Sequence, residues 1–356
     1  MKIALDASYG LTHEPSGVAA YSDNIIRALA QSAPGQDFLL CYRANRFLRA
    51  LRSPPPAKNC SRRLLSSPAA FLYRFGTAVF HGLNQRLPSA RFRRTVTTFH
   101  DLFVMSGDYS TPEFRTRFTA LAEDAAKRSD HIIAISEYTA SQLVERLCYP
   151  REQITVVHHG INPVPPIPEM DLLLFRRKQK LEQPFILHVG AIQVRKNVRR
   201  LIAAFERLPP PTLLVLAGAE GYGAGGILER MRGSPAADRI RHYGYVDGEM
   251  LAKLYRTATV LAFPSLEEGF GFPVLEAMSA GLPVVTSNRS AMPEVASGAA
   301  ILVDPEKTTG LADALQRVLG SERVRKELSE AGLTRAAQFS WIKAAHETLK
   351  VYRKIA

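Results

Sequence analysis

Short runs of β-type residues alternate with helical patterns along the whole chain. No other feature limits the fold more: strands separated by helices pair in parallel, and a parallel sheet must be covered on both faces. In the first half the strand-like runs are Lys2–Ala7, Phe38–Tyr42, Ala78–His81, Val96–Phe99, Ile132–Ile135 and Ile154–His158. A glycine-bearing loop through Gly17 leads into a helix over Val18–Ala30, and further helices are predicted over Pro112–Lys127 and Glu137–Leu147, the last capped by Ser136. The second half repeats the pattern with Phe185–Val189, Leu213–Ala217, Ile240–Tyr243, Val260–Phe263, Val284–Thr286 and Ile301–Val303, and the chain closes with helices over Thr309–Leu319, Glu322–Gln338 and Trp341–Ile355. Between the halves, Asn162–Met170 holds four prolines in nine residues, which excludes helix and central strand. A chain of 356 residues suits two domains. The expected organisation is α/β, with Rossmann-like parallel-sheet domains over 1–165 and 166–339 facing a central cleft. The last helix, 340–356, packs back on the first domain. In such sheets ligands bind beyond the carboxyl ends of the strands.

The formal charge of +13 has a local source: from Arg43 to Arg94 there are twelve Lys or Arg and no Asp or Glu. A patch of one sign attracts polyanions. Within it Arg43, Arg46, Arg49 and Arg52 recur every third residue beside Phe47, Leu48 and Leu51. On a helix this makes a basic stripe next to an apolar one, as in segments that lie on anionic membrane surfaces. A solvated face that keeps the protein soluble is the alternative. Cys41, Cys60 and Cys148 form neither a metal-ligand spacing nor a disulfide framework. With no bilayer-length apolar run and no signal peptide at the N-terminus, the expected location is cytoplasmic, peripheral at the inner face of the membrane.

The chemistry concentrates in Phe263–Asn288, FPSLEEGFGFPVLEAMSAGLPVVTSN. A buried strand ends at Pro264, a glycine turn follows, and Pro273 suits the first position of a helix that stops at Gly281. Glycines bring backbone amides close to a ligand, and a helix N-terminus favours an anion. Glu268 lies just before this helix and Glu276 is placed in its first turn. Carboxylates beside an anion site make sense when they grip hydroxyls, as on a ribose or a hexose.

This segment resembles the Glu-x(7)-Glu motif of the retaining glycosyltransferases of family 4, whose fold is GT-B. His188–Phe205 is similar to that family's strand, glycine turn and Arg-Lys-Asn segment, and Tyr243–Ala258 to the loop and helix bordering the nucleotide base. Val79–Pro88 (VFHGLNQRLP) and Thr97–Leu102 resemble acceptor-side segments, and further matches run to Asn162. The resemblance implies that Glu276 binds the ribose hydroxyls and that Glu268 contacts the transferred sugar. Amides of Gly269, Phe270, Gly271 and Phe272 would hold sugar hydroxyls and the distal phosphate. Arg195 and Lys196 would neutralise the departing diphosphate beside Gly190, Val246 would border the base, Gly17 would approach the diphosphate and His100 would sit beside the reacting carbon. The implied activity is a retaining, metal-independent hexosyl transfer with no cofactor, since no Asp-x-Asp is present and the nucleotide-sugar is a substrate. GDP-mannose is the first choice of donor and a UDP-hexose the second. The implied acceptor is a saccharide or polyprenyl-diphosphate-linked saccharide of a polysaccharide pathway.

Three rival functions leave weaker traces. A dinucleotide-dependent oxidoreductase calls for G-x-G-x-x-G after a first strand, and no strand here is followed by it. A nucleic-acid binder would interleave aromatics with the basic residues, whereas Phe47, Phe71, Tyr73, Phe75, Phe80 and Phe92 stand mostly in apolar company, so nucleic acid is not expected as a partner. A GT-B-like subunit without activity would not need the intact glutamate pair.

Overall fold

Apolar runs that lack a polar alternate, such as Phe185–Val189 and Val260–Phe263, suit strands covered on both faces. Every residue of both is buried. The computed structural model describes residues 2–11, 17–52 and 54–356, and in it such runs build two all-parallel sheets. The first contains β1 (Lys2–Asp6), β2 (Asp37–Tyr42), β3 (Cys60–Leu64), β4 (Val79–Gly82), β5 (Thr95–Phe99), β6 (His131–Ala134) and β7 (Ile154–Val156), in the order β3-β2-β1-β4-β5-β6-β7. The second contains β8 (Phe185–Val189), β9 (Leu213–Ala217), β10 (Ile240–His242), β11 (Val260–Phe263), β12 (Val284–Ser287) and β13 (Ile301–Val303), in the order β10-β9-β8-β11-β12-β13. Both are the doubly wound Rossmann order, in which strand succession reverses beside the first strand. The reversal falls between β1 and β4 in one sheet and between β8 and β11 in the other.

The chain divides into two compact units, one made of Met1–Gly107, Pro112–Gly160 and Phe339–Ala356, the other of Asp108–Thr111 and Ile161–Gln338. Around the first sheet lie α1 (Gly17–Ser32), α2 (Ala44–Ala50), α3 (Ser67–Arg74), α4 (Phe103–Ser106), α5 (Pro112–Arg128) and α6 (Glu137–Leu147). Around the second lie α7 (Glu169–Gln179), α8 (Val198–Phe205), α9 (Ala224–Arg232), α10 (Gly248–Thr257), α11 (Phe272–Ser279), α12 (Met292–Ala296), α13 (Thr308–Gly320) and α14 (Glu322–Ala336). In the second unit α8 and α13 close one face over Ile186, Leu214, Leu216 and Val260. The first unit has an apolar core of Phe99, Ala122, Ile132 and Leu143 under α5 and α6, and a smaller one around Leu39 and Phe80.

The last helix, α15 (Trp341–Ile355), belongs to the first unit and packs against α1. Ser340 caps it by accepting the Lys343 amide at 3.2 Å, and its buried stripe of Trp341, Ala345, Thr348 and Tyr352 recurs at helical spacing. The Tyr352 hydroxyl lies 2.6 Å from His81 Nδ1; His81 Nε2 lies 2.8 Å from Thr98 Oγ1, which is 3.0 Å from the Tyr21 hydroxyl. This buried polar chain ties α15 and α1 to the middle of the sheet. A Cβ at Gly160 would stand 2.1 Å from the Trp341 nitrogen, so only glycine lets the two backbones pass.

Two features differ from the sequence expectation. β3 and α3 occupy a stretch for which the pattern suggested no element. The basic stripe of α2 is only partly a free surface: Arg43 bonds Asp6 and the Arg86 carbonyl at 3.1 Å each, Arg46 the Ser8 carbonyl at 2.8 Å and Arg49 the Leu11 carbonyl at 3.2 Å, while Arg49, Arg52, Leu48 and Leu51 stay exposed. The physical reason is position. The helix follows β2 beside the carboxyl end of β1, where the buried Asp6 and turn carbonyls need donors. Of the loop leading to Gly17, residues 12–16 lie outside the described residues; Gly17 itself is exposed and begins α1.

Candidate functional site

The reversal between β8 and β11 brings two loops together at the carboxyl end of the second sheet. After β8 the chain turns at Gly190, with φ +138°, where a Cβ would crowd the Lys196 side chain at 3.4 Å. Arg195 and Lys196 follow on a short 3-10 turn, and both are buried. Asn197 ends that turn in the left-handed region, with φ +60°. Its amide bridges the Pro264 carbonyl at 3.1 Å and the Pro305 carbonyl at 2.7 Å, which locks the loop after β8 onto the loop after β11. The Leu266 amide donates to the Arg195 carbonyl at 2.8 Å and completes the lock.

Glu268 lies at the centre. Lys196 Nζ is 2.5 Å from its Oε1 and Arg195 Nη1 is 3.0 Å from its Oε2, while the same guanidinium donates to the Glu267 carbonyl at 2.5 Å. Glu268 is only 6% exposed, so this is an ion cluster inside the protein. Burial alone would favour the neutral acid, but the two cations outweigh it and bring the Glu268 carboxyl down to about 2. The Lys196 ammonium also stands 4.7 Å from the centre of the Phe263 ring. The family resemblance implied a diphosphate for the two cations and a sugar for Glu268. In the structure the three side chains hold one another.

After Glu268 the backbone is fixed by its own amide donating to Ser290 Oγ at 3.1 Å. Phe270 is buried, and Gly271, with φ +102°, supplies the turn into α11. A Cβ there would meet Met292 at 2.5 Å. Because Gly271 makes that turn, the helix starts at Phe272 with Pro273 second, and Glu276 is its fifth residue. The placement of Glu276 in the first turn is therefore corrected: it stands past the reach of the helix-end dipole, which falls off within one turn. It is half-buried and accepts a 2.8 Å hydrogen bond from the Tyr255 hydroxyl on α10. Burial raises its carboxyl above the ordinary value, and the Tyr255 bond offsets this only in part. Val246 is half-buried in the loop before α10, whose N-cap Asp247 accepts the Met250 amide at 2.8 Å.

Tyr255 and Asn197 carried no assigned role in the sequence. Asn197 was visible only as the third letter of Arg-Lys-Asn, and Tyr255 had no signal of its own. Two site candidates belong to the first unit, Gly17 at the start of α1 and His100 after β5. His100 is buried with Nε2 2.9 Å from the Leu83 carbonyl, which can only accept, so that nitrogen carries the proton and Nδ1 is left as an acceptor. Burial pushes the imidazole down to about 4, hence neutral at pH 7.

Two family models together match most of the chain: "Glycosyltransferase Family 4" over residues 15–164 and "Glycosyl transferases group 1" over residues 172–335. Among curated proteins the chain is similar to O-antigen chain mannosyltransferase B of Escherichia coli, 28% identical over 99% of this chain and 100% of the relative. Among solved structures it is similar to HepE of Anabaena in complex with UDP and glucose, with a TM-score of 0.77, 15% identity and coverage of 99% and 100%. It is also similar to WaaG, a glycosyltransferase involved in lipopolysaccharide biosynthesis, with a TM-score of 0.74, 17% identity and full coverage of both chains (100% each). These likenesses establish the GT-B fold.

Proposed function

The chain belongs to the group 1 glycosyltransferases of family 4, and from that premise we propose that it transfers mannose from GDP-mannose, with retention, to a saccharide or lipid-linked saccharide of a cell-envelope glycan. The observation that carries this is the ion cluster of Arg195, Lys196 and Glu268 at the strand reversal of the second sheet, where such sheets bind their ligands. An arriving diphosphate replaces the carboxylate on the two cations. Glu268, thus released, accepts hydrogen bonds from the hydroxyls of the sugar. Glu276, one oxygen of which Tyr255 already holds, takes the ribose hydroxyls with the other. The glycine turn of Gly269–Phe272 presents its backbone to the sugar and distal phosphate, and Val246 borders the base. Gly17 and His100 take the roles the family resemblance gives them, with the neutral His100 accepting a hydroxyl at Nδ1.

In the reaction the acceptor hydroxyl attacks the anomeric carbon from the face that the diphosphate leaves. The carbon–oxygen bond to phosphate breaks, and the hydroxyl proton passes to the departing phosphate oxygen. Pre-placed cations and backbone amides stabilise the charge that develops there. Mannose is preferred on the HGLNQRLP segment and on the mannosyltransferase name of the full-length relative.

A thermal-shift screen tests the donor, since a ligand of the native state adds about 2.7 kcal/mol of stability at a hundredfold excess over Kd and so raises the melting temperature. GDP-mannose and GDP should give the largest shifts among GDP, UDP and ADP compounds, and Glu276→Ala should abolish them. Equal shifts from all nucleotides would remove the GDP assignment, and no shift from any would remove the site. Turnover should survive EDTA, because Arg195 and Lys196 take the place of a metal.

A further inference from the structure

We propose that α3 and the adjoining edge of the first sheet form a docking surface for an anionic phospholipid membrane. α3 buries Ala70 and anchors itself through the Tyr73 hydroxyl, which donates to the Leu64 carbonyl at 3.2 Å. What it turns outward is apolar: Phe71, Leu72 and Phe75 are 56%, 86% and 77% exposed. Single exposed apolar residues are ordinary, but three large ones on one short element form a patch with a purpose. The two phenyl rings meet edge to face at 5.5 Å, and the Arg74 guanidinium stands 4.6 Å from one ring centre and 4.5 Å from the other. A cation is thus fastened to the base of an apolar tip. Behind the tip, a cavity of about 390 Å³ between α3 and the β2–β3 edge is lined by Leu39, Leu64, Ala69 and Leu72, with Lys2 and Arg63 among its walls.

The charge at the tip and along the cavity is mostly basic: Arg74 lies against both rings and Lys2 and Arg63 line the cavity, with Asp37, the register partner of Lys2, an exposed acid on that edge. From Arg43 to Arg94 the chain contains no acid, and Lys58, Arg63, Arg91 and Arg93 are exposed. Aromatic and aliphatic side chains inserted at headgroup depth, with cations left at the level of the phosphates, are how a protein without a spanning segment holds a bilayer. Among the described residues no helix is long and apolar enough to cross a membrane, so the contact is peripheral. Arg43 and Arg46 at α2 are tied to Asp6 and to a turn carbonyl, whereas the apolar tip of α3 projects with its cation beside it. The inference stands on this surface alone and not on the donor assignment.

Co-sedimentation of the full chain with vesicles of phosphatidylcholine, with and without phosphatidylglycerol, tests it. Wild-type protein should bind the anionic vesicles, release them as salt rises, and leave neutral vesicles unbound. The variant Phe71→Ser/Leu72→Ser/Phe75→Ser should bind at least tenfold more weakly at an unchanged melting temperature, and Arg63→Glu should weaken binding as well. Undiminished binding by the triple variant, or no wild-type binding to either vesicle, overturns the proposal. So does a wild-type dimer that the triple variant converts to monomer without any vesicle binding, which would assign the patch to a second copy of the chain.

Discussion

Glu268 and Glu276, separated by one turn and half a helix, sit in opposite electrostatic surroundings, and the difference can be measured. The Glu268 carboxyl titrates at about 2 against an ordinary 4.5, so it contributes stability that is fully present above pH 4.5 and is lost as pH falls toward 2. A shift of that size corresponds to about 3 kcal/mol. Glu268→Gln keeps the shape but leaves Arg195 and Lys196 buried together without their carboxylate, and removing one partner of a buried pair is costly. At pH 7 its melting temperature should fall by roughly 6–12 °C. Glu276 is shifted the other way: its ionised form is disfavoured in the folded state, so stability drops as pH rises above 4.5. Glu276→Gln, which can still accept from Tyr255, should melt no lower than wild type at pH 7 while losing its response to GDP. Equal effects of the two substitutions would contradict both assignments. The glutamates were legible through their resemblance to the Glu-x(7)-Glu motif, and the Arg195-Lys196 pair because it follows a strand and the Gly190 turn. Their mutual pairing was not, nor was Tyr255, 21 residues before Glu276 on another helix. Pairings made through space by side chains of different elements leave no periodicity in a sequence.

Elements were most legible where an unbroken apolar run marks the strand. Phe185–Val189, Leu213–Ala217, Val260–Phe263 and Ile301–Val303 have the bounds their apolar runs predicted. β3 is the counterexample: Cys-Ser-Arg-Arg-Leu has neither an apolar run nor a clean alternation, because an edge strand pairs on one side only, here with β2. The start of α11 was read one residue late because proline is tolerated in more than one position of a first turn, and only the φ of Gly271 fixes it. Gly160 shows how strongly one element can depend on a missing methyl group. In Gly160→Ala the new Cβ collides with backbone at Trp341, which cannot rotate away as a side chain can, so the start of α15 must move. That strains the buried chain from Tyr352 through His81 and Thr98. The expected cost is at least about 3 kcal/mol, with hydrogen exchange over 341–355 accelerated beyond that of the rest of the chain. Gly226→Ala, in α9 with nothing within 4 Å of the added carbon, is the control, and it should stabilise by about 0.5–1 kcal/mol. If both variants melt alike, the close passage at Gly160 is not what holds the last helix.

At the scale of the molecule, one strand order is built twice and filled with different chemistry. The first unit buries His81, His100, His131 and His159, and burial lowers all four: His81 to about 3, His100 and His131 to about 4, and His159 well below its ordinary value. The second unit has one such group, His188, lowered to about 4. A histidine that stays neutral when folded but takes a proton at 6.5 when unfolded gives stability that is present above 6.5 and lost as pH falls toward its folded value. At pH 5 the loss is about 2 kcal/mol for each. Over four histidines this rivals the whole stability of an ordinary domain, ~5–15 kcal/mol. The second unit loses about a quarter as much on the same reckoning, and the contribution of Glu268 does not begin to fade until pH 4.5. Acidification from pH 7.5 to 5 should therefore unfold the first unit ahead of the second. The chain carries its own reporter: Trp341, its single tryptophan, lies in the first unit. Its fluorescence transition should move to lower temperature with pH several times further than the later half of the far-ultraviolet circular dichroism transition. Transitions that stay coincident at every pH would mean that the buried histidines take up their protons without unfolding the sheet that holds them.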